Sequence, residues 1–432
     1  MNKFLIFLKS FKYISLKNNY KNIIFGPEAK AYLKYFKKNY FYIEPTKETI
    51  INIRLIIPCL FLFFFYLIKN PLITIKYLRL SPRLFLLISF IKIKKIKKII
   101  TLADYNEWPK ILKKFLGNEI YLIGAQNSSK AYPLNRTLLA KEFDEYYYWN
   151  EFKDSEKKLL HSTKLLPLGS LKSLLVVNDK DLWNSIKKLP DNTDVSGKKN
   201  LVLISSFHSS FLMVYGKYLK NAPVEKYEQI LNNLESKCLK NRFFGKIKNS
   251  SEKELIPLRM FYYQSIEFFK MCIFLRKFIK DENINLHIIE RNNMGTKMYD
   301  LEKKFFQKLY DKNFLINLGT FEKIEYIVEN RNHVFLTNIS TLGRETLAMN
   351  RKSFFFSTLL HFYNSDFFDK ESSFFSLNKK YEDFKELLIK LFETKSQEFS
   401  KNKMNLKYTV SSCTLLKEHF KNFLISTDLE LN

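Results

Sequence analysis

Residues that could do chemistry concentrate between positions 332 and 356, which read NHVFLTNISTLGRETLAMNRKSFFF. An apolar run at 334–336 breaks into a polar loop carrying Ser340, Thr341 and Gly343. A helix-like segment follows at 344–349, and a second apolar run at 353–356. Strand, polar turn, helix and strand make half of a βαβ unit whose turn is free for a ligand. Two hydroxyls and a glycine at a helix N-terminus offer donors at the positive end of the helix dipole, which suits a phosphate. Glu345, just inside that helix, could accept from ribose or sugar hydroxyls. The same residues also make an ordinary helix cap, with an acidic first turn that suits the dipole.

Other stretches of comparable chemistry stand at the ends of apolar runs. Asp104 closes the run at 98–102 and could act as a general base towards an acceptor hydroxyl, with Glu107 as a second candidate, or simply cap the next helix. IERNN (289–293) places Arg291 after a strand, where it could clasp a phosphate in a two-pronged contact or lie solvated on the surface. SSFHSS (205–210) places His208 in a similar loop. Four scattered cysteines and six histidines show no metal-ligand spacing, so no structural metal or cofactor is expected, and the thiols read as small core residues of a reducing compartment.

The elements that must position these residues alternate along the chain. Strands are predicted at 22–25, 40–43, 98–102, 119–123, 146–149 and 165–168, with helices at 29–37, 108–116 and 155–161. DNTDVSGKKN (191–200) has the composition of a linker. The alternation then restarts, with strands at 201–205, 286–289, 314–318, 334–337 and 353–356. Helices are predicted at 255–279, 298–309 and 321–328, and one at 381–392 that could cross back to the first half. Alternation of this kind predicts a doubly wound parallel sheet in each half, with ligands at the carboxyl ends of the strands. The expected domains are 1–190, a linker at 191–199, and 200–432 with C-terminal crossing helices. A chain of 432 residues favours two domains of this size.

A net charge of +29 predicts attraction to phosphates, anionic lipids or nucleic acid, part of it traceable to Lys-rich, Asn-rich codon usage. The apolar run at 55–68 is shorter than a membrane span, and the next stretch, 72–91, interleaves Lys76, Arg79 and Arg83 with apolar residues. Both read as interfacial or buried helices rather than spans. The first residues hold too short an apolar core for a signal peptide.

TNISTLGRETLA (337–348), followed by a basic residue and a strand, resembles the donor-site segment of GT-B transferases that build bacterial surface polysaccharides. It is most similar to the surface carbohydrate biosynthesis proteins, including those related to CDP-glycerol glycerophosphotransferases. The resemblance extends to IITLADYN (99–106), the pair Gln126 and Asn127, and GSLK (169–172), which holds Gly169 and Ser170. Ser128 departs from the pattern, because glycine usually follows the Gln-Asn pair. The resemblance implies an α/β chain of GT-B-like fold, two doubly wound Rossmann-like domains facing across a cleft. It implies a glycosyltransferase using a nucleotide-activated sugar, with a glycan or lipid-linked acceptor, at the inner face of the plasma membrane. Ser340, Thr341, Gly343, Glu345 and Arg291 would bind the donor, while Gln126, Asn127, Gly169 and Ser170 would lie on the acceptor side. A polyol-phosphate transferase or a nucleotide-sugar epimerase of the same fold is the alternative. A basic nucleic-acid-binding protein is the rival of another class, although no zinc-finger, RRM or helix-turn-helix signature is present.

Overall fold

Among the described residues, short runs of apolar residues, fenced by turns and amphipathic helices, build two separate six-stranded parallel sheets. The computed structural model describes residues 11–44, 48–102, 107–126, 140–149, 154–177, 199–240, 250–310, 315–338, 340–358, 375–377, 380–395, 398–399 and 413–432. The chain divides into two units, Met1–Leu175 with Val410–Asn432, and Val176–Thr409.

Unit 1 carries β1 (Phe11–Tyr13), β2 (Asn22–Phe25), β3 (Tyr40–Ile43), β4 (Thr49–Ile51), β5 (Lys98–Thr101), β6 (Tyr121–Ala125), β7 (Glu145–Tyr148) and β8 (Lys164–Pro167). The main sheet runs β3-β2-β5-β6-β7-β8, while β1 and β4 pair in a small parallel sheet of their own. All four residues of β2 are buried, as expected of a parallel strand covered on both faces. Its helices are α1 (Ile53–Lys69), α2 (Pro71–Lys76), α3 (Ser81–Lys94), α4 (Glu107–Leu116), α5 (Asp154–Leu159) and α6 (Leu171–Val176). Phe85 of α3 joins α1 to α4, its ring 5.5 Å from Phe63 and 5.5 Å from Phe115.

Two expectations change here. The helix predicted at 29–37 is instead a pair of single 3-10 turns, Pro27–Ala31 and Leu33–Tyr35. The Leu33 carbonyl accepts from the Phe36 amide and the Tyr40 hydroxyl, and Phe36 is already extended, so no α-turn can propagate. The stretch at 72–91 splits into α2 and α3, with Pro82 in the first turn of α3, where a missing N–H costs little. Among the described residues no helix is long and apolar enough to cross a membrane.

Unit 2 carries β9 (Lys199–Ile204), β10 (Ile284–Ile289), β11 (Leu315–Ile316), β12 (Val334–Thr337), β13 (Ser353–Ser357) and β14 (Phe375–Leu377), ordered β11-β10-β9-β12-β13-β14. They alternate with α7 (Tyr227–Lys240), α8 (Ser250–Asp281), α9 (Lys297–Tyr310), α10 (Glu322–Glu329), α11 (Thr341–Ala348) and α12 (Tyr381–Glu393). Phenylalanines fill the core, Phe269 of α8 lying 5.1 Å from Phe305 of α9 by ring centroid. Counted by first appearance, the strands of this sheet run 3-2-1-4-5-6 and those of unit 1 run 2-1-3-4-5-6. Both are doubly wound orders, reversing between β9 and β12 in unit 2 and between β2 and β5 in unit 1.

The expected division differs in detail from the observed units. Residues 191–198 of the expected linker lie outside the described residues, and Lys199 opens β9. The helix expected to cross back, α12, stays on α8, where Phe384 lies 5.8 Å from Phe274 and the Tyr381 hydroxyl donates to Asp281 at 2.5 Å. The segment that returns to unit 1 is α13 (Cys413–Thr427), so the second expected domain does not extend to 432. Phe423 of α13 meets Tyr147 edge-on at 5.0 Å, and the Asn22 amide donates to the Thr427 carbonyl at 2.7 Å. Lys98 donates to the Ser426 carbonyl at 2.7 Å. Asn22, Lys98 and Glu145 are the first residues of their strands, so α13 closes the amino edge of the sheet and leaves the carboxyl edge to the loops.

Candidate ligand site

In unit 2 the strand reversal brings two polar loops side by side. After β9 come Ser205, Ser206, Phe207 and His208; after β12 come Asn338 and Ser340. The Ser206 and Thr337 hydroxyls lie 3.5 Å apart across the seam, both buried. The Asn338 amide donates to the Gln264 carbonyl of α8 at 3.2 Å, and the Gln264 side-chain amide, 1% exposed, has no hydrogen-bond partner. A buried amide left unsatisfied is costly in a folded chain, so a polar ligand atom or water is the expected partner.

The turn opens α11 earlier than expected. Ser340 is the N-cap: its hydroxyl accepts from the Leu342 amide at 3.2 Å, and its own amide donates to Thr337 at 3.3 Å. Thr341 is the first helical residue, and Gly343 lies within the first turn rather than in the loop. A Cβ at Gly343 would stand 2.4 Å from Thr337 Cγ2 and 3.3 Å from the Phe355 ring. Glycine therefore lets α11 press against β12 and β13, the close helix-to-strand approach used in dinucleotide folds. Glu345 falls in the second turn and is 2% exposed.

The loop after β10 is held by a buried carboxylate. Glu302 of α9 is fully buried and accepts from the Arg291 amide at 3.1 Å, the Asn292 amide at 3.1 Å and the Asn292 side chain at 2.7 Å. Asn292 also donates to the Phe207 carbonyl at 3.0 Å, tying the loops after β10 and β9 together. Arg291 keeps part of its side chain in solvent, yet the protein crowded around its guanidinium lowers its pKa against the pull of Glu302.

Glu290 stands beside it, 2% exposed, with neither carboxyl oxygen hydrogen-bonded. Burial and then repulsion from Glu302 push its pKa up to about 7, with Lys323 and Lys303 opposing. A carboxyl titrating near neutrality can both give and take a proton, which is the property of a general acid or base. His208 is held below its usual value by burial and then by Arg291, which favours the neutral ring. Its Nδ1 pairs with the Ser210 hydroxyl at 2.8 Å. Because β10, β9 and β12 are adjacent, the Arg291 loop and the Ser340 turn stand roughly 10 Å apart, two strand spacings.

The expected residues of unit 1 are less gathered. Asp104 and Asn127 lie outside the described residues. Gln126 is buried at the end of β6, where its side chain accepts from the Trp149 amide at 2.9 Å and ties β6 to β7. Gly169, with φ at +81°, and Ser170 follow the edge strand β8, three positions from β5, and the Ser170 hydroxyl accepts from the Ser173 amide at 3.3 Å. Glu107 starts α4 and lies 3.9 Å from Lys110.

Sequence reasoning named Arg291 and missed Glu290, Asn292, Glu302 and Gln264. One signal was available: Glu302 shares the buried face of α9 with Phe305, Phe306 and Leu309, and a carboxylate on an apolar stripe needs a partner.

No family model matches the chain, and no curated protein matches it in sequence. Solved structures with a similar fold include one described as an S. aureus MnaA-UDP co-structure, at 10% identity and a TM-score of 0.43 over 94% of this chain and 97% of that one. The class of fold rests on the chain's own two doubly wound parallel sheets.

Proposed function

We propose that this chain is an enzyme of nucleotide-sugar chemistry, a transferase that adds a sugar or sugar-like unit from an activated donor to a bacterial surface polysaccharide of capsule or O-antigen type. One observation carries the reading: polar loops and the unsatisfied buried Gln264 amide meet at the strand reversal of unit 2, where open α/β sheets hold ligands, with the unsatisfied Glu290 carboxyl one strand away at the end of β10. The donor diphosphate sits at the start of α11, near Ser340 and the amides of Thr341 and Gly343, with Arg291 neutralising the charge that develops on the departing nucleotide. Glu345 takes a donor hydroxyl. Glu290 in its protonated form can hand a proton to the leaving phosphate. On the acceptor side the proposed base is Asp104, with Gln126, Asn127, Gly169 and Ser170 as further acceptor-side candidates. An epimerase is the second reading, favoured by a carboxyl in Glu290 that can take and return a proton near pH 7.

The test is thermal stabilisation of the purified chain by UDP-, GDP-, CMP- and CDP-activated sugars and by CDP-glycerol. A true donor at a hundredfold excess over its Kd stabilises by about 2.7 kcal/mol. No stabilisation by any of them overturns the reading. With a binding donor in hand, polymer growth identifies a transferase, and a free nucleotide-sugar isomer an epimerase.

A further inference from the structure

Helix α1 is apolar all round, and only one side of it is used by the core. Leu55 and Tyr66 are buried, with Leu62 and Phe63 packed partly against the same cluster. On the other side Ile53, Ile57, Leu60, Phe61, Phe64 and Ile68 are between 55% and 84% exposed. Their spacing of i, i+4, i+7, i+8, i+11 and i+15 places them on one stripe of about 100°. Leu72 and Ile75 of α2, the next helix along the chain, are 83% and 59% exposed as well. Contiguous exposed surface of this kind marks an interaction site.

Charge identifies the occupant. Residues 49–103 contain no Asp or Glu and ten basic residues: Arg54, Lys69, Lys76, Arg79, Arg83, Lys92, Lys94, Lys95, Lys97 and Lys98. Arg54 and Lys69 are exposed at the two ends of α1 and Lys76 at the end of α2, and Lys69 lies 5.5 Å from the centre of the Phe65 ring. A second copy docked on this face would set these cations against one another. An anionic bilayer offers acyl chains to the stripe and phosphates to its ends.

Spanning is ruled out by length and attachment. Seventeen residues at 1.5 Å each reach about 26 Å, short of a hydrocarbon core of about 30 Å, and the opposite side of α1 is fixed in the protein core. We propose that the exposed face of α1 and α2 docks unit 1 on an anionic phospholipid bilayer. Phe61, Phe64 and Ile68 enter the acyl boundary, while Arg54, Lys69 and Lys76 meet the headgroups. The surface is separate from the donor site of unit 2, and its proposal stands whether or not that site binds a nucleotide sugar.

Flotation of the full chain with vesicles of phosphatidylcholine, with or without phosphatidylglycerol, tests it. Wild-type protein should float with the mixed vesicles and bind the neutral ones about tenfold more weakly or worse. Ile57→Ser/Phe61→Ser/Phe64→Ser should abolish flotation with an unchanged urea midpoint, since all three side chains point outward. Lys69→Glu/Lys76→Glu should cut binding to the anionic vesicles by about tenfold or more. A wild-type chain that stays at the bottom of both gradients overturns the proposal. So does undiminished flotation of the serine variant, or a dimer that the serine variant dissociates in the absence of vesicle binding.

Discussion

Two buried glutamates, one at the edge of each sheet, have opposite fates. Glu145 opens β7 at the amino edge of unit 1, where it accepts from Ser426 at 2.6 Å, from Tyr121 at 3.1 Å and from the Tyr147 hydroxyl, with Lys164 at 3.6 Å. Burial alone would raise its pKa, but these donors hold it below the ordinary carboxylate value. Glu290 follows β10 at the carboxyl edge of unit 2 with no hydrogen bond to its carboxyl, and there burial and the repulsion of Glu302 outweigh the pull of Lys323 and Lys303. Equal burial thus gives a fixed anion in one place and a proton-exchanging acid in the other. The donors around Glu145 and the repulsion of Glu302 on Glu290 decide which.

Removing the satisfied carboxylate should have the largest effect. Glu145→Gln loses the charge that three hydroxyls and Lys164 surround, at a cost of about 2–4 kcal/mol in urea unfolding. Because the folded pKa is lowered, the stabilisation is complete above the unfolded value and is lost as pH falls through the folded one. A wild-type chain whose stability ignores acid in that range would break the contrast.

Glu290→Gln should act the other way. The folded state keeps a proton that the unfolded chain releases, so wild-type stability declines as pH rises from about 4.5 to about 7. The glutamine variant should lack this slope, gain on the order of 1–3 kcal/mol over wild type at pH 8, and lose turnover. Identical pH slopes in both proteins would show that Glu290 is no more perturbed than a surface carboxylate.

The smallest effect sharpens the distinction between cap and ligand. Ser340→Ala should cost about 1 kcal/mol through the lost N-cap bond. Ser340→Asp should restore that stability while placing a carboxylate where a donor phosphate is proposed, so donor affinity should fall. Unchanged donor affinity in Ser340→Asp would leave Ser340 as a cap alone.

Much of the fold was legible because parallel strands buried on both faces leave unbroken apolar runs. The boundaries predicted at 22–25, 40–43 and 334–337 are those of β2, β3 and β12. The three-residue strands β1, β4 and β14 are too short to show a period, and α13 carries no sign in its own sequence of which unit it completes. At the site, the Ser340 turn and Arg291 could be read because each follows a strand. The state of Glu290 could not. It depends on burial and on Glu302, and the loop beside it is tied to Phe207, 85 residues earlier in the chain.

The return of α13 to unit 1 has a consequence for biosynthesis. The helix that closes the amino edge of the first sheet leaves the ribosome only after all 234 residues of unit 2, from Val176 to Thr409. At about 5–20 residues per second, unit 1 waits roughly 10–50 s with Asn22, Lys98 and Glu145 lacking their partners. Unit 2 is complete in sequence before that wait ends, so the part of the chain made first is the part finished last.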